Sequence, residues 1–210
     1  MKLIFLGPPG AGKGTMAKRL AKDRKIAHIS TGDLFREAIA RESELGLEVK
    51  AIIERGDLVP DSLTIQLVAE RIKAGDCAGG FILDGFPRTI GQAEALEKLV
   101  GVDAAVNFGL SDEELVRRLS GRRLCPACGR TFHVDFMPPQ VPDLCDSCGA
   151  GLIVRKDDQI DSIRNRLSVY QKQTEPLIGF YSRRGLLKNV DGAPAPEAVF
   201  SALKKTLALP

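Results

Sequence analysis

Residues 7–15, GPPGAGKGT, combine closely spaced glycines with one lysine, a pattern typical of loops that bind phosphate. Glycines let backbone N–H groups converge on phosphate oxygens, and the N-terminus of a following helix adds a favourable dipole. Lys13 is expected to reach the outer phosphates. The Ser or Thr that usually follows the lysine and binds Mg²⁺ is replaced by Gly14, with Thr15 next. The alternative is a glycine-rich turn between a strand and a helix without a ligand.

A second candidate group for phosphate chemistry is Asp84, the last residue of the apolar run FILD. A carboxylate at the end of a buried strand can orient Mg²⁺, directly or through water. An aspartate at such a position is as often a turn or capping residue. Its pairing with the phosphate-binding loop favours the metal role.

Two Cys-x-x-Cys pairs, in CPACG and CDSCG, supply four thiols with the spacing C-x2-C-x16-C-x2-C. This spacing is typical of structural zinc sites formed by four cysteines. The candidate ligands are Cys125, Cys128, Cys145 and Cys148. Four thiolates fill tetrahedral zinc and leave no position for a substrate, so a catalytic metal is not expected. Free core cysteines and a redox dithiol are the alternatives, and His133, between the two pairs, is interpreted as a surface residue rather than a ligand.

The elements that must position these groups alternate between strands and helices. Apolar runs at 2–6, 26–29, 81–84, 104–108 and 186–190 predict five strands buried in a parallel sheet. Helical patterns lie at 13–24, 61–75, 89–99, 112–120, 159–184 and 195–207. Asp61 is the expected N-cap of the second helix and Gly75 its stop, and Pro176 should interrupt the long helix. The pattern predicts an α/β fold of right-handed βαβ units.

Two stretches depart from this alternation. Residues 30–60 hold two helical patterns with no strand between them, and residues 122–158 are rich in Gly, Pro and Cys and have no helical periodicity. Both are expected to be insertions into the sheet domain.

Composition bounds the class of protein. The chain has 210 residues, of which 27% are charged and 44% hydrophobic, which is ordinary for one globular domain with small insertions. A net charge of +3 is too small to indicate a nucleic-acid or membrane partner. The N-terminal apolar run is short, so no signal peptide is expected, and no stretch reaches membrane-spanning length. Cysteines paired for metal binding favour a reducing compartment, and the expected location is cytoplasmic.

The segment FILDGFPRTIGQ (81–92), together with GPPGAGKGT, resembles the signature of adenylate kinases. STGDLFR, GDLVP, GRR, RKDD and VDG follow in the same order as in that family, so the resemblance covers essentially the whole chain. It implies a P-loop NTPase fold with a five-stranded parallel sheet flanked by helices. It also implies a core of residues 1–29, 60–121 and 159–210, a monophosphate-binding insertion at 30–59 and a zinc-bearing lid at 122–158.

The implied activity is reversible phosphoryl transfer from MgATP to AMP, giving two ADP. The implied ligands are therefore ATP, AMP and ADP, with Mg²⁺ bound to ATP and structural Zn²⁺ in the lid. No nucleic acid or membrane partner is expected, and the family resemblance implies a monomer.

The resemblance also implies site residues. On the ATP side these are Gly10, Ala11, Gly12, Lys13, Gly14, Thr15, Arg118, Arg122, Thr131, Phe132 and Pro194. Arg118 is expected to stack on the adenine of ATP, and Arg122 to contact its phosphates from the lid. Phe132 stands where the commonest family sequences have Tyr, which keeps an aromatic ring and removes a hydroxyl.

On the AMP side the implied residues are Thr31, Arg36, Asp57, Leu58, Val59, Gly85, Arg88, Gln92, Arg155 and Arg166. Arg36 and Arg88 are expected to bind the phosphate of AMP, and Gln92 to read its adenine. The groups expected to act in catalysis are Lys13, Asp84, Arg88, Arg122, Arg155 and Arg166. Asp157 and Asp158 resemble lid acids that hold the closed state.

Three other functions would fit parts of the sequence. A kinase for UMP, CMP or another monophosphate would share the fold, but such members of the family generally have a short lid. A nucleic-acid-binding ATPase would need basic residues interleaved with aromatics around the cysteines, and this segment contains Asp135, Asp143 and Asp146 instead. A nucleotide-gated switch without turnover conflicts with a complete second-substrate site.

Overall fold

The computed structural model describes residues 1–209, which form seven strands. They are β1 (Lys2–Leu6), β2 (Ala27–Ser30), β3 (Phe81–Asp84), β4 (Ala104–Gly109), β5 (Arg122–Leu124), β6 (Thr131–His133) and β7 (Leu187–Asp191). Five of them build one parallel sheet in the order β2–β3–β1–β4–β7. The predicted five-stranded parallel sheet is therefore confirmed.

The described residues also form nine α-helices. They are α1 (Lys13–Arg24), α2 (Thr31–Ala40), α3 (Glu44–Arg55), α4 (Asp61–Arg71), α5 (Ile90–Leu99), α6 (Asp112–Ser120), α7 (Ile160–Val169), α8 (Pro176–Arg183) and α9 (Pro196–Thr206). Short 3₁₀ turns occupy Gly75–Cys77 and Lys156–Asp158, and a π-helical turn covers Tyr170–Thr174.

The central strands of the sheet are buried on both faces because they are almost continuously apolar. In β1, Leu3 and Phe5 join a core cluster with residues of α1, α6 and α9. The alternate residues Ile4 and Leu6 join the other cluster, with residues of α4, α5 and α8. Successive side chains of a strand point to opposite faces, so one short strand supplies both cores.

Two details of the helix prediction are wrong. Asp61 is the first residue of α4 and not its N-cap, which is Pro60, and the helix ends at Arg71 rather than at Gly75. The long helix predicted over 159–184 is interrupted, as expected, but the irregularity begins before the proline. A π-helical turn starts at Tyr170, and Pro176 is then the first residue of α8.

The two stretches that departed from the alternation have small cores of their own. Helices α2 and α3 pack around Phe35, Val49 and Val59. Residues 122–158 contain the antiparallel pair β5–β6 and a cluster formed by Cys125, Phe132 and Cys145.

Candidate active site

The phosphate-binding loop connects β1 to α1 at the carboxyl edge of the sheet. The ammonium Nζ of Lys13 donates to the carbonyl oxygens of Gly7 and Pro8, at 2.6 Å and 2.7 Å. Desolvation in the cleft lowers the pKa of Lys13 from its usual 10.5 to about 8, against the opposing attraction of Asp84. The protonation of Lys13 is therefore sensitive to nearby charges, and a bound phosphate would favour its charged form.

Asp84 ends β3 directly beside the start of α1. A Cβ atom at Gly14 would lie 3.1 Å from Oδ2 of Asp84, so a side chain after the lysine would crowd this carboxylate. This close approach gives a physical reason for Gly14 in place of Ser or Thr. His28, from the neighbouring strand β2, has its Nε2 3.4 Å from Asp84 Oδ2, without the geometry of a hydrogen bond.

Arginines from the lid and from α7 converge above the loop, held by two neighbouring carboxylates. Arg122 Nε donates to Asp158 at 2.7 Å, and Arg155 Nε donates to Asp157 at 2.9 Å. Arg166 Nη1 donates to Asp158 at 2.9 Å and lies 3.1 Å from Asp157. Burial acts to raise the pKa of Asp157, but Arg155 and Arg166 outweigh it and hold that pKa well below its usual range.

A second pair of arginines lies on the side of the 30–59 insertion. Arg88 Nε and the hydroxyl of Thr31 both donate to the carbonyl oxygen of Gly85, each at 2.8 Å. Gly85 has φ +80°, and a Cβ there would lie 2.8 Å from Arg88, so only glycine allows this approach. Arg36 donates to Asp33 at 2.5 Å, whereas Arg88 has no carboxylate partner within the described residues. Burial lowers the pKa of both Arg36 and Arg88, because a charged guanidinium is costly to desolvate.

Behind Arg88, the side chain of Gln92 is fixed by two hydrogen bonds. Its Oε1 accepts from the backbone N–H of Arg88 at 2.7 Å, and its Nε2 donates to Asp61 Oδ1 at 2.7 Å. The other oxygen of Asp61 accepts from the hydroxyl of Thr89 at 2.7 Å. Thr89 in turn caps α5 by accepting from the N–H of Gln92.

The π-helical turn places Thr174 next to the same loop. Its buried hydroxyl donates to the carbonyl oxygen of Arg88 at 2.8 Å. The main chain of Arg88 is therefore bonded on both sides, its N–H by Gln92 and its C=O by Thr174.

Arg118 lies at the other end of the cleft, near the loop after β7. Its Nε donates to Glu114 at 3.0 Å, and its two Nη atoms donate to the carbonyls of Gly192 and Ala193 at 2.9 Å and 3.0 Å. These bonds hold the guanidinium beside Pro194, where a planar base can stack on it.

The expected site residues line two connected spaces. The expected ATP-side residues all line a cleft of about 910 Å³, large enough for a nucleoside triphosphate. The expected AMP-side residues all line a narrower pocket. The two spaces share Arg36, Arg88, Arg155 and Arg166, so the cations stand where the two ligands would meet.

The four cysteines of the two knuckles come together within residues 122–158. Their sulfur atoms all lie within 4.8 Å of one another, with Cys125 and Cys148 3.4 Å apart and Cys128 and Cys145 3.5 Å apart. Zn–S bonds of about 2.3 Å in a tetrahedron require S···S distances of about 3.8 Å. The residues present therefore fit a Cys₄ metal site.

His133 is not a lid surface residue, contrary to the interpretation from sequence. It is buried, and a Cβ at Gly121 would lie 2.3 Å from its Nε2, so the ring packs on the base of the lid. Its Nδ1 accepts from the backbone N–H groups of Asp135 and Phe136. Desolvation lowers the pKa of His133, which favours the neutral ring whose Nδ1 can accept these bonds.

Several residues that shape the site were not found from sequence: Asp61, His28, Thr174 and Glu114. The sequence did single out Asp61, because an aspartate after a proline is typical of the start of a helix. That pattern predicts only a local helix cap and not a contact with Gln92. The other three had no signal beyond residue type.

The arrangement defines a class of protein, the nucleoside-monophosphate kinases of the P-loop fold, which need one pocket for a donor nucleotide and one for an acceptor. Comparison of sequences narrows the class. The profile described as Adenylate kinase matches residues 5–186, and this chain belongs to that family.

Relatives named adenylate kinase match over nearly their whole length. The chain is 53% identical to the adenylate kinase of Treponema denticola over 204 residues, which cover 97% of this chain and 98% of that protein. It is 51% identical to the adenylate kinase of Carboxydothermus hydrogenoformans over 212 residues, with 99% of each chain covered. The adenylate kinase of Methanothrix thermoacetophila is 49% identical over 212 residues, covering 99% of this chain and 98% of that one. None of the helices within residues 1–209 has the length and apolar character needed to cross a membrane.

Proposed function

We propose that this protein transfers the γ-phosphoryl group of MgATP to AMP, reversibly, to give two ADP. One observation carries the proposal: a cleft behind a phosphate-binding loop and a separate pocket meet at four shared arginines. Membership of the adenylate kinase family supports the same reaction.

The donor half is the phosphate-binding loop with the lid above it. Backbone N–H groups of the loop and the N-terminus of α1 face the phosphates, and Lys13 is the nearest cation of the loop. Arg118, pinned by Glu114 and two carbonyls, stacks on the base of ATP. MgATP brings its metal with it, and Asp84 and Thr15 are the groups that would orient the ion, which neutralises charge on the phosphates.

The acceptor half is the narrow pocket, and it needs no general base. The phosphate of AMP is already an anionic nucleophile, so the protein has only to align it and surround it with positive charge. Arg88, whose guanidinium has no carboxylate partner in the described chain, is the principal contact of this phosphate. Arg36 completes the grip from α2.

The arginines between the pockets are kept in place by carboxylates until phosphates arrive. Asp157 and Asp158 hold Arg122, Arg155 and Arg166 through charge-assisted bonds. Burial lowers the pKa of Arg166 to about 10, so it keeps its full charge at neutral pH. Planar guanidiniums can then bind phosphate oxygens bidentately, which stabilises the charge spread over the migrating group.

The lid has a structural metal rather than a catalytic one. We propose that Cys125, Cys128, Cys145 and Cys148 hold Zn²⁺ and thereby make residues 122–158 a rigid unit. That segment is too small to fold on an apolar core alone, and a metal supplies the missing stability. We further propose that residues 30–59 and 122–158 are the two segments that close over the core. The cytoplasm, which keeps thiols reduced, is the proposed location.

The test uses purified protein, MgATP and each of AMP, GMP, CMP and UMP, with nucleoside diphosphates separated by chromatography. We expect ADP from AMP alone. Arg88→Ala should lower kcat/KM for AMP by about 10²-fold or more, since it removes a buried charged contact to phosphate. Arg164→Ala, which alters an exposed arginine, is the matched control and should leave the rate unchanged. Turnover of another monophosphate would change the identity of the acceptor. If none of the four monophosphates is phosphorylated, the proposed reaction is contradicted.

A further inference from the structure

The amide of Gln92 can take only one of its two orientations in this structure. The backbone N–H of Arg88 is a donor and faces Oε1 at 2.7 Å. The carboxylate of Asp61 is an acceptor and faces Nε2 at 2.7 Å. Rotating the amide by half a turn would set donor against donor and acceptor against acceptor, so the chemistry of its partners fixes the orientation.

Asp61 is built into this role and is not a spare surface charge. Its second oxygen accepts from the hydroxyl of Thr89 at 2.7 Å, which fixes the plane of the carboxylate. Gln92 is buried and lines the acceptor pocket. Asp61 is not among the described residues that line this pocket. Asp61 therefore acts on a ligand only through Gln92.

A fixed amide presents a fixed pattern to a nucleobase. After its two bonds to the protein, Gln92 keeps one N–H donor and one oxygen lone pair for the pocket. Adenine offers a complementary edge, with an amino donor at position 6 and a ring nitrogen acceptor at N1. Hypoxanthine and guanine have a carbonyl at position 6 and an N–H at N1, which match only the opposite orientation of the amide.

We propose that Asp61 is the positioning residue that makes the acceptor pocket specific for an adenine base over a 6-oxopurine. The proposal rests on the proposed function, because it takes the base of the acceptor nucleotide to lie against Gln92. A buried donor that faces another donor costs far more free energy than a lost contact. The fixed orientation of the Gln92 amide therefore discriminates against a 6-oxopurine.

The test compares AMP with inosine 5′-monophosphate, which exchanges the 6-amino group for a carbonyl and carries a hydrogen on N1. Both kcat/KM with MgATP and the dissociation constant without ATP are measured for each nucleotide. In the wild type, AMP should be preferred by at least about 10³-fold in kcat/KM. Asp61→Leu keeps the approximate shape of the side chain but removes both acceptor oxygens, and it should reduce the preference for AMP at least tenfold, in turnover and in affinity.

Three further variants separate positioning from general damage. Asp61→Glu keeps two acceptor oxygens and should keep most of the preference, whereas Asp61→Ala should lose it as Asp61→Leu does. Thr89→Ala removes the cap of α5 and one bond to Asp61 but leaves the bond to Gln92, so it should lower the melting temperature and keep the preference. If one substitution at Asp61 fails to fold, the other still tests the proposal.

The outcomes distinguish this proposal from the function on which it rests. An equal loss for both nucleotides in Asp61→Leu and Asp61→Ala, or an unchanged preference, would overturn the positioning role. A wild type that phosphorylates neither nucleotide would overturn the proposed function. In that case the ratio of dissociation constants still decides whether Asp61 sets the choice of base.

Discussion

Lys13 shows how one buried side chain can make substrate binding depend on pH. The pKa of Lys13 is lowered from 10.5 to about 8, mainly by desolvation. Between these two values the unfolded chain keeps a proton that the folded chain has lost, so this group increases stability as pH rises through that window. Binding of phosphate needs the protonated form, so affinity for ATP should change in the opposite direction.

Below pH 8 Lys13 is protonated, so we expect it to add no pH dependence to the dissociation constant of MgATP. Above pH 8 it should rise, approaching tenfold per pH unit, because the free protein must first take up a proton. Isothermal titration calorimetry between pH 6.5 and pH 9.5 measures it. Lys13→Arg provides the comparison, since arginine stays charged in this range, and equal slopes in the two proteins would refute the assignment.

The sequence predicts residues of the site well where a motif is continuous along the chain. GPPGAGKGT forms the loop after β1 and the start of α1, and FILDGFPR forms β3 and the loop after it, so the spacing within each segment already contains the geometry. Asp61 was misassigned because the capping rule considers only neighbours in sequence. Its partners Thr89 and Gln92 lie 28 and 31 positions away and become neighbours only when α4 and α5 pack together.

At the scale of secondary structure, the π-helical turn between α7 and α8 could not be predicted from sequence. Its residues, YQKQT, include no glycine or proline and carry no signal that separates them from an ordinary helix. Such turns occur often at functional sites, because they redirect side chains within a helix. Here the turn directs Thr174 to the carbonyl oxygen of Arg88.

This contact leads to a prediction for the acceptor site. Thr174→Val keeps the shape of the side chain but leaves the carbonyl of Arg88 without its donor, at a cost of about 1–3 kcal/mol. We expect KM for AMP to rise by about tenfold while KM for ATP stays within twofold. Steady-state kinetics with each substrate varied measures both. Thr174→Ser retains the hydroxyl and should behave like the wild type; equal changes in both KM values would instead indicate general loosening.

The strands were predictable for a simple physical reason. The central strands of a parallel sheet covered by helices on both faces need apolar side chains at nearly every position, and such runs are rare elsewhere in a chain with 27% charged residues. The lid strands β5 and β6 have only three residues each and no such run, so nothing in the sequence marked them.

At the scale of the whole molecule, residues 30–59 and residues 122–158 contact each other and the rest of the chain around the cleft. Lys18 of α1 donates to the carbonyl of Gly129, in the first cysteine knuckle, at 3.4 Å. Lys156, at the base of the lid, donates to Glu54 of α3 at 2.9 Å. An enclosed cleft limits the access of water, which would otherwise accept the phosphoryl group and waste ATP.

The metal site should matter first for stability. Removal of zinc by a chelator, with the metal content verified, should lower the melting temperature by about 5 °C or more, since the lid loses the link between its knuckles. Limited proteolysis should then cut within 122–158 first. The four cysteines line neither pocket. Removal of the metal should therefore change kcat at low temperature only slightly, although it lowers the melting temperature. Normal melting of the fully metal-free protein would rule out a structural metal.

The most direct measurement for the whole account supplies the protein with MgADP alone. Two ADP molecules must then occupy the donor and acceptor pockets together, so the reaction tests both pockets and the arginines between them. We expect ATP and AMP to form in equal amounts, up to the same equilibrium that a mixture of MgATP and AMP reaches. Release of inorganic phosphate without ATP, or no reaction by a folded protein that binds ADP, would contradict phosphoryl transfer between two adenine nucleotides.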